Sequence, residues 1–308
     1  MSEFGLLLRS YDGDFHLAQR LVESFRQHNP NDLQLVCCVS EPDVGTFSQL
    51  QADNVTVMSD RELSRHFVDD EVAGIRPGYI NQEIVKLAFH ELGIFENYFC
   101  IDSDAIFIRD IRREDFIAPD GFPYTVLVED NELKTEPTYF STYWEPRERA
   151  IREIARVLDY RMPILRTCHG HQVMSSQVLR SFVSDFLIPR KWSYSDVLAI
   201  APYEFSWYNL WLQKTEEIPI HSREPLVKVY HHARQHQEHI LRGVSESDLA
   251  RGYLAVVVNS NFSRDLDMVD LNQPKPVALA PHLSFAEVAQ LLMHKLKNGT
   301  LRLTSGST

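Results

Sequence analysis

Short apolar runs alternate with a helical pattern at the beginning of this chain, and this alternation limits the folds that it can adopt. Apolar runs cover residues 4–8, 33–39 and 55–58, and residues 15–25 repeat apolar side chains at helical spacing. A strand that is apolar on both faces is typical of a parallel sheet, because helical connections cover those faces. The sequence therefore predicts a β-α-β beginning.

The rest of the chain continues this alternation up to a Pro-containing stretch at residues 272–281. We predict helices at residues 79–92, 145–158, 175–187 and 203–212, and strands at residues 98–101, 124–128, 226–230 and 254–258. The stretch separates a predicted domain of residues 1–270 from residues 271–308, which hold a linker and an amphipathic helix. That helix either packs on the core or contacts a membrane surface or a partner.

Composition excludes several classes of protein. The formal charge of −12 repels a nucleic-acid backbone, so we expect no nucleic-acid partner. A small molecule bearing phosphate can still bind through a cation that carboxylates hold. Four cysteines at irregular spacing predict reduced thiols rather than a disulfide framework. The apolar stretch at residues 4–8 is too short for a secretory signal, and we expect a cytoplasmic location.

Two carboxylates interrupt the apolar residues 98–108. Asp102 and Asp104 follow a predicted buried strand, with Ser103 between them. At the carboxyl end of a central strand, such side chains face the crevice where open α/β sheets bind ligands. Their spacing suits a hard, oxygen-seeking cation such as Mn²⁺ or Mg²⁺, while the alternative is a polar turn in which both aspartates accept backbone hydrogen bonds.

These residues carry a resemblance to a known family. The segments NQEIVKL at residues 81–87 and YFCIDSD at residues 98–104 resemble the D-x-D region of GT-A glycosyltransferases, particularly bacterial members linked to surface polysaccharides. The likeness extends more weakly to three further places: residues 8–14, 171–175 and 203–208. It implies an α/β, Rossmann-like fold with a mixed, mainly parallel central sheet flanked by helices.

The resemblance also implies where a nucleotide-sugar binds. Asp104 would ligate the metal, and Asp102 would contact the metal or the ribose. The residues implied to border the nucleotide at the end of the first strand are Arg9, Ser10, Tyr11 and Asp14. Arg9 and Asp14 have an alternative interpretation as an ordinary surface pair, and Tyr11 as a turn residue.

Gln82 and Lys86 are four residues apart and share a helix face. The family resemblance implies that both point toward the nucleotide and that Lys86 counters the diphosphate charge. The alternative for Lys86 is a solvated helix edge.

Several histidines are further candidates. A histidine late in the chain commonly completes the cation site in metal-dependent relatives of this fold, so the resemblance implies this role for His231 or His232. Alternation along a strand points only one of them at the crevice, and the other packs or faces solvent. His171 and Gln172 would lie near the sugar on a glycine-bearing loop. Structural zinc at residues 168–171 is a weaker alternative, because no second ligand pair has zinc-finger spacing.

Glu204 opens a predicted helix among aromatic residues at positions 201–208. Aromatic faces bind the apolar faces of sugar rings, and a carboxylate among them can accept a proton from an acceptor hydroxyl. The alternative is a carboxylate that only complements the helix dipole.

The sequence thus favours a metal-dependent glycosyltransferase that moves a sugar from a nucleotide-diphosphate donor, such as a UDP-sugar, to a hydroxyl of a saccharide or glycoconjugate. Two alternatives stay open. One is a phosphatase of the haloacid-dehalogenase type that uses the aspartate pair, and the other is a non-catalytic scaffold that binds a nucleotide-sugar. No P-loop, dinucleotide fingerprint or serine-hydrolase elbow occurs in the sequence.

Overall fold

The computed structural model describes residues 2–129, 144–161, 164, 166–168, 170–230 and 233–258. The predicted C-terminal helix, the linker before it, and His231 and His232 lie outside these residues. Among the described helices, none combines the length and apolarity needed to cross a bilayer.

A five-stranded sheet forms the centre of the fold, in the order β3-β2-β1-β4-β7. Its strands are β1 (Ser2–Arg9), β2 (Leu35–Val39), β3 (Val55–Ser59), β4 (Phe95–Asp102) and β7 (Val173–Ser175). The first four are parallel, and β7 pairs antiparallel with β4. The predicted fold class, a mixed and mainly parallel α/β sheet flanked by helices, is confirmed.

The α-helices cover both faces of this sheet. They are α1 (Phe15–Gln27), α2 (Val44–Phe47), α3 (Pro77–Ala88), α4 (Glu145–Val157), α5 (Ser176–Ser181), α6 (Ile188–Arg190), α7 (Tyr194–Ile200), α8 (Glu204–Thr215), α9 (Ala233–Leu241) and α10 (Glu246–Leu249). Side chains alternate along β1, so that Leu7 packs with α3, α7 and α8 while Leu6 and Leu8 pack with α1. The predicted β-α-β beginning is therefore confirmed, with both faces of β1 buried.

Two small sheets complete the described structure. One has the order β5-β10-β9, formed by β5 (Ala105–Phe107), β9 (Val227–Tyr230) and β10 (Ala255–Val258). The other pairs β6 (Tyr124–Val126) with β8 (His221–Arg223). All four cysteines are buried, and no disulfide joins them.

The structure differs from the predicted elements at several places. β5 directly follows the aspartate pair and pairs with β10, which is distant in sequence. Ser175, predicted to begin a helix, instead ends β7 and accepts a hydrogen bond from the Gln177 backbone as the N-cap of α5. A π-helix at Phe182–Leu187 continues α5, so the predicted helix at residues 175–187 is not a regular α-helix.

Candidate functional site

The aspartate pair lies at the carboxyl edge of the central sheet. Asp102 is the last residue of β4 and pairs in register with Arg9, the last residue of β1. A turn at Ser103 and Asp104 then leads into β5. Ser103 is buried, whereas Asp102 and Asp104 are both partly exposed at this edge. The sequence predicted this position for the pair.

Lys86 of α3 lies buried beside Asp102, with its ammonium among three carboxylates. Lys86 Nζ is 3.0 Å from Glu204 Oε1, 3.3 Å from Asp102 Oδ1 and 3.4 Å from Glu83 Oε2. The Lys86 side chain is only 5% exposed, so it is not a solvated helix edge. Its charge is balanced within the protein, and its contact with a diphosphate stays a prediction.

The surrounding charges determine the protonation states in this cluster. Burial lowers the pKa of Lys86, but the carboxylates of Asp102, Glu204 and Glu83 outweigh burial and hold that pKa well above its usual value. Burial raises the pKa of Asp102, but Lys86 and His171 bring it below its usual value. Lys86 and Asp102 are therefore a charged pair at neutral pH.

Glu83 is a member of the cluster that the sequence analysis did not identify. Burial, followed by the negative charge of Glu204, raises the pKa of Glu83 well above its usual value, although Lys86 opposes the shift. Its side chain is only 4% exposed. Glu83 is therefore a buried carboxylic acid, whereas Asp102 is a carboxylate.

The sequence contained a signal for Glu83. It lies three residues after Ile80 and four before Leu87, both fully buried, and so falls on the apolar face of α3. An acidic residue on the buried face of a helix requires a partner, because burying an unpaired charge is costly. Its spacing of three from Lys86 supplies that partner.

His171 approaches Asp102 from the loop that precedes β7. The Asp102 backbone N–H donates to His171 Nε2 at 3.4 Å, which assigns the ring proton to Nδ1. Burial lowers the pKa of His171, although Asp102 opposes the shift, so the ring is neutral at pH 7. Its Nδ1 is buried without a hydrogen-bond partner among the described residues.

The backbone of His171 is in the left-handed region, with φ of 44°. A non-glycine residue in that region costs free energy, and such residues concentrate at functional sites. Together with the unpartnered Nδ1, this conformation supports the prediction that His171 contacts a ligand.

The loop that carries His171 is attached to α8, which carries Glu204. Thr167 Oγ1 donates to Ser206 Oγ at 3.2 Å, and Gln172 Nε2 donates to the Phe205 carbonyl at 3.5 Å. Gln172 is fully buried, so its predicted contact with the sugar would involve Oε1, which has no partner in the described structure. At the pair itself, Glu204 contacts Lys86 and His171 Nε2 lies 3.6 Å from Asp102 Oδ2.

Arg9 binds the ends of three neighbouring strands. Its Nη2 lies 2.9 Å from Asp60 Oδ2, directly after β3, and its Nη1 donates to the Cys38 carbonyl of β2 at 3.1 Å. The Arg9 side chain is 11% exposed. Arg9 therefore joins the carboxyl ends of these strands through buried contacts. One interpretation of the sequence was a surface pair between Arg9 and Asp14, and the observed partner is Asp60 instead.

The other residues predicted at this edge differ in exposure. Ser10 is buried and its hydroxyl has no hydrogen-bond partner among the described residues, whereas Tyr11 is half exposed. The Tyr11 carbonyl accepts from the Asp14 backbone N–H, so Asp14 belongs to the turn after β1. Gln82 lies one turn before Lys86 on α3 and is partly buried. The nucleotide contacts of these residues stay predictions.

The donor set at the aspartates fits a hard cation in part. Two carboxylates one residue apart suit Mn²⁺ or Mg²⁺, but both oxygens of Asp102 already have neighbours, Lys86 at 3.3 Å and His171 at 3.6 Å. Within the described residues, no group of three or more His, Cys, Asp or Glu side chains is arranged to hold a metal. A third ligand from His231 or His232 stays a prediction.

A separate groove of about 650 Å³ lies at the other edge of the sheet, near the start of β1. Its charged side chains pair with one another, for example Arg109 with Asp115 at 3.2 Å and His28 with Asp110 at 3.4 Å. None of its lining residues belongs to β1, to β4 or to the Asp102–Lys86 cluster, so this groove is not the candidate site.

Comparisons with known proteins give limited information. No protein-family model matches the chain, and no curated protein sequence matches it. Among solved structures, the chain is similar to mouse xyloside xylosyltransferase 1 in its apo form, with 13% identity and a TM-score of 0.44. The match covers 84% of this chain and 99% of that protein. A likeness at this level assigns neither a family nor a substrate to this chain.

Proposed function

We propose that this protein is a glycosyltransferase that uses a nucleotide-diphosphate sugar and a divalent cation. The observation that carries the proposal is the convergence of Asp102, Lys86 and Glu204 at the carboxyl end of β4, with His171 beside them. This edge is where open α/β sheets bind ligands. Charged groups held there by protein contacts are suited to stabilise a developing charge.

The aspartates would hold the cation, which supplies charge neutralisation for a departing diphosphate. Asp104 is the proposed ligand on the crevice side, and Asp102 contributes from the end of β4. Lys86 fixes the orientation of Asp102 through their 3.3 Å contact. Tyr11, half exposed at the end of β1, would contact the nucleotide base or ribose.

The transfer step requires a bond exchange at the anomeric carbon. The oxygen of an acceptor hydroxyl forms the new bond to that carbon, and the carbon–oxygen bond to the diphosphate breaks. The nucleoside diphosphate leaves with the electron pair, and the hydroxyl proton passes to a carboxylate, for which Glu204 is the candidate. Glu204 is bound to Lys86 and its side chain is 7% exposed, so the acceptor hydroxyl must contact the exposed part of that carboxyl group.

Thermal stabilisation tests this proposal directly. A ligand that binds only the native state at a hundred times its Kd stabilises that state by about 2.7 kcal/mol. We expect UDP or a UDP-sugar to raise the melting temperature in the presence of Mn²⁺ and not with EDTA. Asp104→Asn should abolish the shift, while the control Asp53→Asn, at an exposed position away from β4, should keep it.

The same preparation distinguishes the two alternatives. A phosphatase would hydrolyse p-nitrophenyl phosphate with Mg²⁺ and lose that activity in Asp102→Asn. A scaffold would bind the nucleotide-sugar without transferring or hydrolysing the sugar. If no nucleotide or nucleotide-sugar shifts the melting temperature with Mn²⁺, the glycosyltransferase proposal is wrong.

A further inference from the structure

Arg147 lies in the first turn of α4 and faces the beginning of α8. Its guanidinium carbon is 4.2 Å from the centre of the Tyr203 ring, directly before Glu204. Its Nη2 donates to the Cys168 carbonyl at 3.3 Å, in the loop that carries His171. Its Nε is buried without a hydrogen-bond partner in the described structure. The side chain is thus held in one orientation by two segments of the candidate site.

Arg147 also differs from the other cations of the site in its charge balance. Arg9 is paired with Asp60, and Lys86 is paired with Asp102 and Glu204. Over the described part of the chain, Arg147 has no carboxylate within 4.0 Å, and the nearby Glu148 pairs with Arg152 instead. A partly buried cation near a helix N-terminus is unfavourable unless an anion offsets it.

We propose that Arg147 and Tyr203 form a subsite for an anionic group, a carboxylate or a phosphate, carried by a sugar of the substrate. The proposal rests on the glycosyltransferase function and adds the class of substrate. A planar guanidinium binds both anions through two parallel hydrogen bonds, and stacking on an aromatic ring fixes its plane. According to this proposal, the substrate contains an acidic sugar rather than only neutral sugars.

The contacts of Arg147 place this subsite on the sugar side of the crevice. Arg147 contacts Tyr203, which directly precedes Glu204, and Cys168, which lies in the same loop as His171. Glu204 is the residue predicted to face the acceptor, and His171 is the residue predicted to face the sugar. Glu83 and burial raise the pKa of Tyr79, and Glu204, Lys86 and Arg147 also act on it. Arg147 is therefore close enough to the buried cluster to share its electrostatic field, while its direct contacts do not include the ends of β1 and β2.

The test compares acidic and neutral sugars on matched variants. UDP-glucuronate and UDP-glucose with Mn²⁺ form the donor arm, and a disaccharide with terminal glucuronate and its glucose counterpart form the acceptor arm. Calorimetry should show that the acid binds about tenfold or more tightly than the neutral sugar in one arm, as expected for a charge-assisted hydrogen bond. The arm with the preference identifies the sugar that carries the anion.

Arg147→Gln should remove this preference, and Arg147→Lys should keep part of it. Arg149→Gln, on the exposed side of the same helix, should leave it unchanged. Melting temperatures within a few degrees of the unaltered protein show that each variant is folded. If Arg147→Gln does not fold, Arg147→Lys replaces it as the test variant. Affinity for UDP should stay within about twofold in all variants, since the proposed anion is not the diphosphate.

Three results would overturn the subsite: no preference in either arm, a full preference that persists in Arg147→Gln and Arg147→Lys, or an equal loss of UDP affinity. The glycosyltransferase proposal fails separately, if UDP and UDP-sugars do not bind with Mn²⁺. The acceptor arm uses a saccharide without UDP, so it tests the subsite even if UDP-sugars do not bind. A preference for the acidic saccharide that depends on Arg147 supports the subsite. If neither the acceptor arm nor the donor arm shows a preference, the subsite is rejected.

Discussion

Lys86 Nζ and Glu204 Oε1 lie 3.0 Å apart in the interior, although 118 residues separate them in sequence. The contact joins α3 to the first residue of α8 and brings Glu204 to the side chain that also binds Asp102. The observed contact and the proposed catalysis give Glu204 two candidate roles that must be separated. It can accept a proton from an acceptor, and it can hold Lys86 in place.

Removing the buried ammonium should destabilise the protein strongly. Lys86→Met leaves Asp102 and Glu204 without their cation, and breaking a buried ion pair on one side costs about 3–5 kcal/mol. Urea unfolding measures this loss. Arg152→Met, which breaks an exposed pair with Glu148, should cost less than about 1 kcal/mol. Equal losses in the two variants would show that the buried cluster contributes no more than a surface pair.

Replacing Glu204 separates its two roles. If Glu204 accepts the acceptor's proton, Glu204→Gln should slow transfer by on the order of a hundredfold while donor affinity persists. Turnover, donor affinity and melting temperature are measured on one preparation, with the exposed Glu153→Gln as the control. Near-normal turnover with a lowered melting temperature would assign Glu204 to holding Lys86 only.

Glu83 predicts a specific pH dependence of stability. Its pKa in the folded state is well above the usual value, so folding favours the protonated acid. The stability that Glu83 contributes is complete below the unfolded pKa of about 4.3 and is lost as the pH rises through the folded pKa. Glu83→Gln resembles the protonated acid and cannot ionise.

The variant should therefore match the unaltered protein near pH 4 and become more stable than it at higher pH. The difference in unfolding free energy should grow by up to about 1.4 kcal/mol per pH unit until the folded pKa is reached. Urea unfolding of both proteins between pH 4 and 8 measures it. A difference that does not change with pH would mean that Glu83 titrates normally.

Gly5 tests the packing between β1 and β4. A Cβ at this position would lie 2.2 Å from the nearest atom of the buried Phe95 ring, so Gly5→Ala should cost about 1–3 kcal/mol. Gly78→Ala in α3 meets no atom within 4 Å and should stabilise by about 0.4–1 kcal/mol. A neutral Gly5→Ala would show that Phe95 moves aside at little cost.

Tyr11 tests the nucleotide edge. Base–aromatic stacking contributes about 1–3 kcal/mol, so Tyr11→Ala should weaken UDP binding by roughly fivefold or more, while Tyr11→Phe should not. Ile188→Ala is the control, because Ile188 is an even more exposed apolar residue, in a short helix after the π-helix. Unchanged UDP affinity in Tyr11→Ala would place the base elsewhere.

The parts of the fold encoded by local patterns were predictable from sequence. The apolar runs of β1 and β2 and the helix between them mark the parallel sheet, because burial on both faces leaves a continuous apolar run. The position of the aspartate pair was predictable because Asp102 ends β4, and the carboxyl ends of parallel strands lie at one edge of the sheet.

The parts that depend on distant contacts were not predictable in the same way. β7 has three residues and is a strand only because β4 offers an edge for pairing, and no local pattern contains that partner. The orientation of Lys86 depends in turn on Glu204, which belongs to α8. Arg147 lies on the predicted helix at residues 145–158, and no local pattern indicates that its guanidinium packs on Tyr203.

The attachment of Arg9 to β1, β2 and β3 affects how a nucleotide would bind. A lysine has one ammonium and cannot reach the Cys38 carbonyl and Asp60 with the same planar geometry, so Arg9→Lys would loosen this edge. With arginine, protein contacts alone hold the three strand ends together. Binding there loses little conformational entropy, so the donor's affinity depends on the contacts it makes rather than on the ordering of the protein.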